Sequence, residues 1–181
     1  MKMWEPTECP GTEELKDRLQ TAREKLARQQ MLLKEKKLPV LVLMEGWGTA
    51  GKGNCIGRVI QNIDPRFFNV ESLEKKTEEE KRKPFLYRYF KRLPEAGKFA
   101  FFDSGWMDEI TEGVLNGELN EKQYQMKIDS IRRFERQLTD NGYLVMKFFC
   151  HISKKEQKKR IEELCSDIDT SWRISDKDKW Q

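Results

Sequence analysis

Gly46-Trp47-Gly48-Thr49-Ala50-Gly51-Lys52-Gly53 has the residue types and spacing of a loop that grips a phosphate. Glycines let the backbone turn tightly enough to aim several N–H groups at one anion, and a lysine at the start of the following helix adds a positive charge on a long stem. The loop follows an apolar run and opens a segment of helical pattern, so the partial positive charge of a helix N-terminus points at the same place. The plainer alternative is a glycine-rich strand-to-helix turn with Lys52 in solvent. Gly46, Gly48 and Gly51 with Lys52, in that context, favour the phosphate reading. In the common form of the motif a Ser or Thr follows the lysine and holds magnesium. Here Gly53 and Asn54 follow, so a metal has to be held by another group.

Asp103 is the candidate for that group. It follows Phe99-Ala100-Phe101-Phe102, at the carboxyl edge where open α/β sheets bind ligands. An aspartate after a strand also often caps the next helix, and taken alone the two roles are evenly matched. Paired with the loop, the magnesium role is the better reading. Lys154, Lys155, Lys158, Lys159 and Arg160 make a basic stretch on one helical segment, and Lys81, Arg82 and Lys83 make another; each is either a solvated face or a surface for a polyanion. Phe85, Tyr87, Tyr89 and Phe90 are read as core packing, His151 as structural, and Cys55 and Cys150 as small buried apolar residues. Four scattered cysteines without a CxxC pair, and a single histidine, give no zinc-site pattern.

The elements that must position these residues alternate. A helical pattern from Thr12 to Lys37 repeats Leu15, Leu19, Ala22, Leu26 and Leu33 on one stripe, and Pro39 stops it. Val40-Leu41-Val42-Leu43-Met44 then runs apolar without alternation, as do Phe99–Phe102 and much of Leu144–Phe149; such runs suit strands covered on both faces. Phe68–Ser72 is a weaker strand. Helical segments begin near Gly51, after Thr77 (with Glu80 as capping-box partner), from Asn120 to Asp140, and after Ser153 (with Glu156 as partner) to about Cys165. Strands alternating with helices indicate an α/β fold with a mostly parallel sheet. The chain of 181 residues suits about one domain. Lys and Arg number 35 against 31 Asp and Glu, a balance that argues against a DNA-coating role. No apolar run approaches the ~18 residues of a membrane span, and reduced thiols suit a cytoplasmic location.

The matched segments together resemble the polyphosphate kinase 2 family. They include Leu38-Pro39-Val40, Glu45-Gly46, Ala50-Gly51-Lys52-Gly53, Asp64-Pro65-Arg66, Thr77-Glu78-Glu79-Glu80, Pro84-Phe85-Leu86-Tyr87-Arg88, Phe134-Glu135-Arg136-Gln137-Leu138, His151-Ile152-Ser153-Lys154, Glu156-Gln157, Arg160 and Trp172. The similarity runs from about Leu38 to Trp180 and is strongest to the N-terminal half of two-domain polyphosphate:AMP phosphotransferases. It implies a P-loop kinase-like, three-layer fold of the thymidylate-kinase type with a helical lid. It also implies transfer of a phosphoryl group between inorganic polyphosphate and an adenine nucleotide, AMP or ADP, with Mg²⁺. Under this resemblance Gly46, Trp47, Gly48, Thr49, Ala50, Gly51, Gly53 and Asn54 cradle phosphate. Lys52 holds the transferred group, Asp103 the metal, Arg160 on the lid contacts phosphates, and Arg88 faces the substrates.

The sequence also departs from that pattern. Gly48 stands where the family carries an aspartate, and Asp103-Ser104-Gly105-Trp106-Met107 replaces Asp-Arg-Ser-Trp-Tyr. A carboxylate and a phosphate-binding arginine are thereby lost, so a catalytically weakened polyphosphate- or nucleotide-binding module is the alternative to an enzyme. The expected organisation is an N-terminal helical extension over 1–37 and a polyphosphate kinase 2-like domain over 38–181, cut short after the lid. The resemblance also implies a homo-oligomer.

Overall fold

The computed structural model describes residues 11–73 and 76–174; Cys9, Asp178 and Trp180 lie outside them. Helix α1 (Thr12–Glu35) leads into strand β1 (Val40–Gly46), the glycine-rich loop and helix α2 (Lys52–Ile60). After β2 (Phe68–Glu71) come two short helices, α3 (Glu78–Lys81) and α4 (Tyr87–Phe90), and then β3 (Phe99–Phe102). Helices α5 (Trp106–Leu115) and α6 (Glu121–Asp140), β4 (Leu144–Cys150) and α7 (Lys154–Ser166) complete the chain's main elements.

The strands form one sheet in the order β2-β3-β1-β4, with every pairing parallel. The unbroken apolar runs have the expected cause: both faces of β1 and β3 are covered. Leu41, Leu43, Ala100 and Phe102 face Trp106, Ile110, Ile131, Phe134 and Leu138 of α5 and α6. Val40, Val42, Met44, Phe99 and Phe101 face the opposite side, where Ile56 of α2 and Leu26 and Leu33 of α1 pack. Alternate side chains of one strand therefore enter different cores, and both faces are apolar from Val40 to Met44. Strand β4 is less covered, with Phe148 and Phe149 about half exposed, and a mostly apolar cavity of about 390 Å³ opens beside it between α1, α2 and the sheet.

The capping signals explain most helix starts. Thr77 and Glu80 form both halves of their box, but α3 runs only one turn before Pro84. Asn120 and Gln123 form a second complete box at α6. At α7 only half of the expected box exists: the Ser153 hydroxyl accepts from Glu156 N, while the Glu156 carboxylate turns forward to Arg160 at 2.7 Å. Two core assignments are corrected. Phe90 is exposed, because the single turn of α4 buries Arg88 and Tyr89 and leaves Phe90 outward, and Cys55 is exposed at the wall of that cavity beside Cys150, itself only partly covered. Among the described residues no helix is long and apolar enough to cross a membrane.

Candidate phosphate-binding site

Strands β1 and β3 are neighbours in register, Leu43 beside Phe102, so the loop after β1 and Asp103 after β3 emerge side by side. A Cβ on Gly53 would sit 3.4 Å from Asp103 Oδ2, which places this carboxylate at the mouth of the loop. Asp103 Oδ1 is buried and has no hydrogen-bond partner. Burial pushes the Asp103 carboxyl above its ordinary value, against the pull of the Lys52 ammonium, and the Asp108 charge adds to the rise. The capping role open to Asp103 is not the one it takes. Helix α5 starts at Gly105 without a side-chain cap of its own. The carboxylate that serves it comes from β1: Glu45 Oε1 accepts from Met107 N at 3.3 Å and Oε2 from Asp108 N at 3.1 Å.

Lys52, the first residue of α2, folds its side chain back along the loop. Its Nζ donates to Gly46 O at 2.7 Å and Trp47 O at 3.3 Å, and lies 3.4 Å from Asp108 Oδ2. The other Asp108 oxygen accepts from Gly46 N at 3.1 Å. Gly51 precedes α2 in the left-handed region and offers no side chain, so no side-chain cap competes for the first N–H groups of that helix. Thr49 also has positive φ, +56°, and its hydroxyl is buried without a hydrogen-bond partner. Trp47 N donates to Cys150 O at 3.3 Å and its ring meets Phe149 edge-on, which ties the loop to β4. Asn54, in contrast, is exposed on α2.

Helix α7 covers the loop from the other side. Arg160 Nη1 donates to Thr49 O at 3.2 Å and Gln157 Nε2 to Gly48 O at 3.3 Å. Lys158 and Lys159 point outward and pair with Glu162 and Glu163 at 3.9 and 3.7 Å, so the basic stretch is a solvated face apart from Arg160. Arg88 is buried on α4 with its guanidinium 3.7 Å from Glu80. It is linked to the site through its neighbour Tyr89, whose hydroxyl donates to Gly105 O at 3.1 Å. His151 is exposed beside the Trp47 ring.

Residues 11–181 match the polyphosphate kinase 2 (PPK2) family over nearly the whole chain. The chain belongs to this family. The polyphosphate:AMP phosphotransferase of Pseudomonas aeruginosa is 35% identical over 84% of the chain, and the chain spans 31% of that protein. The ADP-polyphosphate phosphotransferase 3 of Rhizobium meliloti is 29% identical over 86% of the chain, which spans 55% of it. The crystal structure of polyphosphate kinase 2 from Arthrobacter aurescens superposes with a TM-score of 0.89 at 28% identity, over 96% of this chain and 63% of that one. The fold is thus the P-loop kinase-like fold of polyphosphate kinase 2 structures.

In this polyphosphate kinase 2 chain the loop, Lys52, Asp103 and Arg160 lie together at one sheet edge. Sequence reading assigned no role to Glu45, Asp108 or Gln157. Gln157 was within reach, since it precedes Arg160 by three residues and shares its helix face. Glu45 and Asp108 are 63 residues apart and meet only through the fold. Burial, and then the neighbouring Asp108 carboxylate, raise Glu45 from an ordinary 4.5 to about 8. The folded state therefore holds a proton that the unfolded chain releases near pH 4.5, so the stability this group contributes is fully present below that pH and is lost as pH rises through about 8. Glu45→Gln mimics the protonated form. Its thermal midpoint is expected to stay flatter than that of the wild type between pH 5 and pH 8, as thermal melts across that range would record.

Proposed function

We propose that this chain moves a phosphoryl group between inorganic polyphosphate and an adenine nucleotide, AMP or ADP, with Mg²⁺ as cofactor. The observation that carries the reading is that Lys52 and Asp103, whose buried Oδ1 has no hydrogen-bond partner, both stand at one glycine-rich loop. The relatives' names, polyphosphate:AMP phosphotransferase and ADP-polyphosphate phosphotransferase, support the same chemistry. Among the described residues no three His, Cys, Asp or Glu side chains gather into a metal cage. Magnesium fits nonetheless, because it is commonly held by one or two carboxylates plus waters and substrate phosphates, and an orphaned carboxylate oxygen is such a ligand. When bound at Asp103, the ion would neutralise charge on the phosphate oxygens.

The chain's own residues account for the remainder. Loop N–H groups and the Lys52 ammonium bind the terminal phosphoryl group and offset the negative charge that spreads over its oxygens. An oxygen of the nucleotide phosphate attacks the terminal phosphorus, the bridging P–O bond breaks, and the shortened polyphosphate leaves as an oxyanion. The attacking oxygen is already ionised, so no side chain has to remove a proton. Arg160 and Gln157 hold the loop carbonyls of Thr49 and Gly48, and so orient the peptide groups that face the anion.

The second reading, a weakened phosphate-binding module, is favoured by Gly48 and Ser104 standing where the family carries an aspartate and an arginine, and by the Lys52 charge being partly spent on Asp108. Purified chain incubated with long-chain polyphosphate, Mg²⁺ and AMP or ADP separates the two. The enzyme reading predicts a higher nucleotide phosphate appearing over time and stopping when EDTA is added. Polyphosphate retention without product supports the module. Self-association belongs to the same proposal, supported by the exposed Leu15, Met31 and Leu32 on α1, and sedimentation measures it directly.

A further inference from the structure

We propose that Asp108 is a positioning residue that acts as a built-in counter-anion of the phosphate loop and sets how much of the Lys52 charge a bound phosphate receives. This inference rests on the phosphate-binding reading of the loop. Asp108 touches the loop twice, through Gly46 N at 3.1 Å and Lys52 Nζ at 3.4 Å. An ammonium has three donors, and Lys52 already has Gly46 O, Trp47 O and the Asp108 carboxylate around it. The Lys52 and Asp108 side chains are 14% and 24% exposed, so solvent screens their attraction only in part.

The carboxylate is also held in place. Its own backbone N–H donates to Glu45, and Asp108 occupies the first turn of α5, where the helix dipole favours negative charge. Glu45 is packed closely against Gly105, where a Cβ would overlap the carboxyl group. Fastening Gly46 N–H requires an acceptor but not a charge, and an amide oxygen would serve equally. The charge therefore has a separate consequence: it lowers the positive potential that Lys52 presents to a polyanion.

Equilibrium dialysis of the intact chain with tripolyphosphate tests this on wild type, Asp108→Asn and Asp108→Ser, and on each with Lys52→Met. Asp108→Asn keeps the acceptor and removes the charge, and is expected to tighten binding about tenfold. Asp108→Ser should move affinity in the same direction, and the gain should vanish in the Lys52→Met background. Binding by Asp108→Asn where the wild type is silent also supports the proposal. If the wild type binds and both substitutions leave affinity unchanged or weaken it, or if the gain survives without Lys52, Asp108 is not the counter-anion. If no variant binds, the phosphate reading itself falls, and this inference with it. Urea unfolding of each variant confirms that affinities are compared between folded chains.

Discussion

Lys52→Ala is expected to lower the rate of polyphosphate-dependent nucleotide phosphorylation by about 10³-fold or more, measured as ADP or ATP formed per enzyme under saturating substrates. The side chain is largely buried in the loop and supplies a full positive charge at the site proposed for the transferred group. Its removal also leaves the Asp108 carboxylate, 3.4 Å from Nζ, at the loop without its cation, so the loss combines a missing attraction with an uncompensated negative charge. Both effects concern the transition state, where negative charge spreads over the equatorial oxygens, and kcat should therefore fall further than KM rises. A rate within threefold of wild type would remove Lys52 from the chemistry.

Gly46→Ala is expected to destabilise the fold by about 3 kcal/mol or more, read as a lowered urea midpoint. Gly46 ends β1 with φ of +117°, a conformation that an L side chain rarely adopts. An added Cβ would also overlap Cys150 O and lie 2.9 Å from Cys150 N and C, backbone atoms of the paired strand β4 that cannot turn aside. Gly57→Ala is the matched control. It lies inside α2 with open space around its Cβ position, and the change is expected to stabilise by about 0.5–1 kcal/mol.

Local signals were readable from the sequence wherever a single segment carried them. Val40–Met44 and Phe99–Phe102 announce buried strands because both of their faces meet apolar helices. Thr77 with Glu80 announces a helix start because the two residues satisfy each other's backbone. Helix α5 gave no such signal. Its N-cap is a glycine, and the carboxylate that accepts from its first N–H groups is Glu45, far away in the chain. The spacing of Trp106, Ile110 and Gly113, all buried on one face, was one clue, and the other, Asp103 as a possible cap, pointed to the wrong carboxylate.

The candidate site divides in the same way. The glycines and Lys52 were legible because phosphate binding needs them consecutive. Asp103 was legible because a strand end points it at the sheet's carboxyl edge. Which carboxylate caps and which stands free depended on β1 and β3 being neighbours, a fact of topology. Asp108 was hidden for the same reason, since its contacts with Gly46 and Lys52 span the sheet edge. Arg160 was separable from its lysine neighbours only as a resemblance, and the geometry supplies the physical cause: its guanidinium donates to Thr49 O of the loop, while Lys158 and Lys159 pair along the helix with Glu162 and Glu163.

On the proposed function, residues 46–53, with Lys52 and opposite Asp103, bind a phosphate chain. Calorimetric titration of the intact chain with tripolyphosphate in magnesium buffer measures this most directly. The account predicts a saturable heat corresponding to one site per chain, lost in Lys52→Ala and weakened in Asp103→Asn. No heat with the wild type, or an isotherm unchanged by Lys52→Ala, would contradict it.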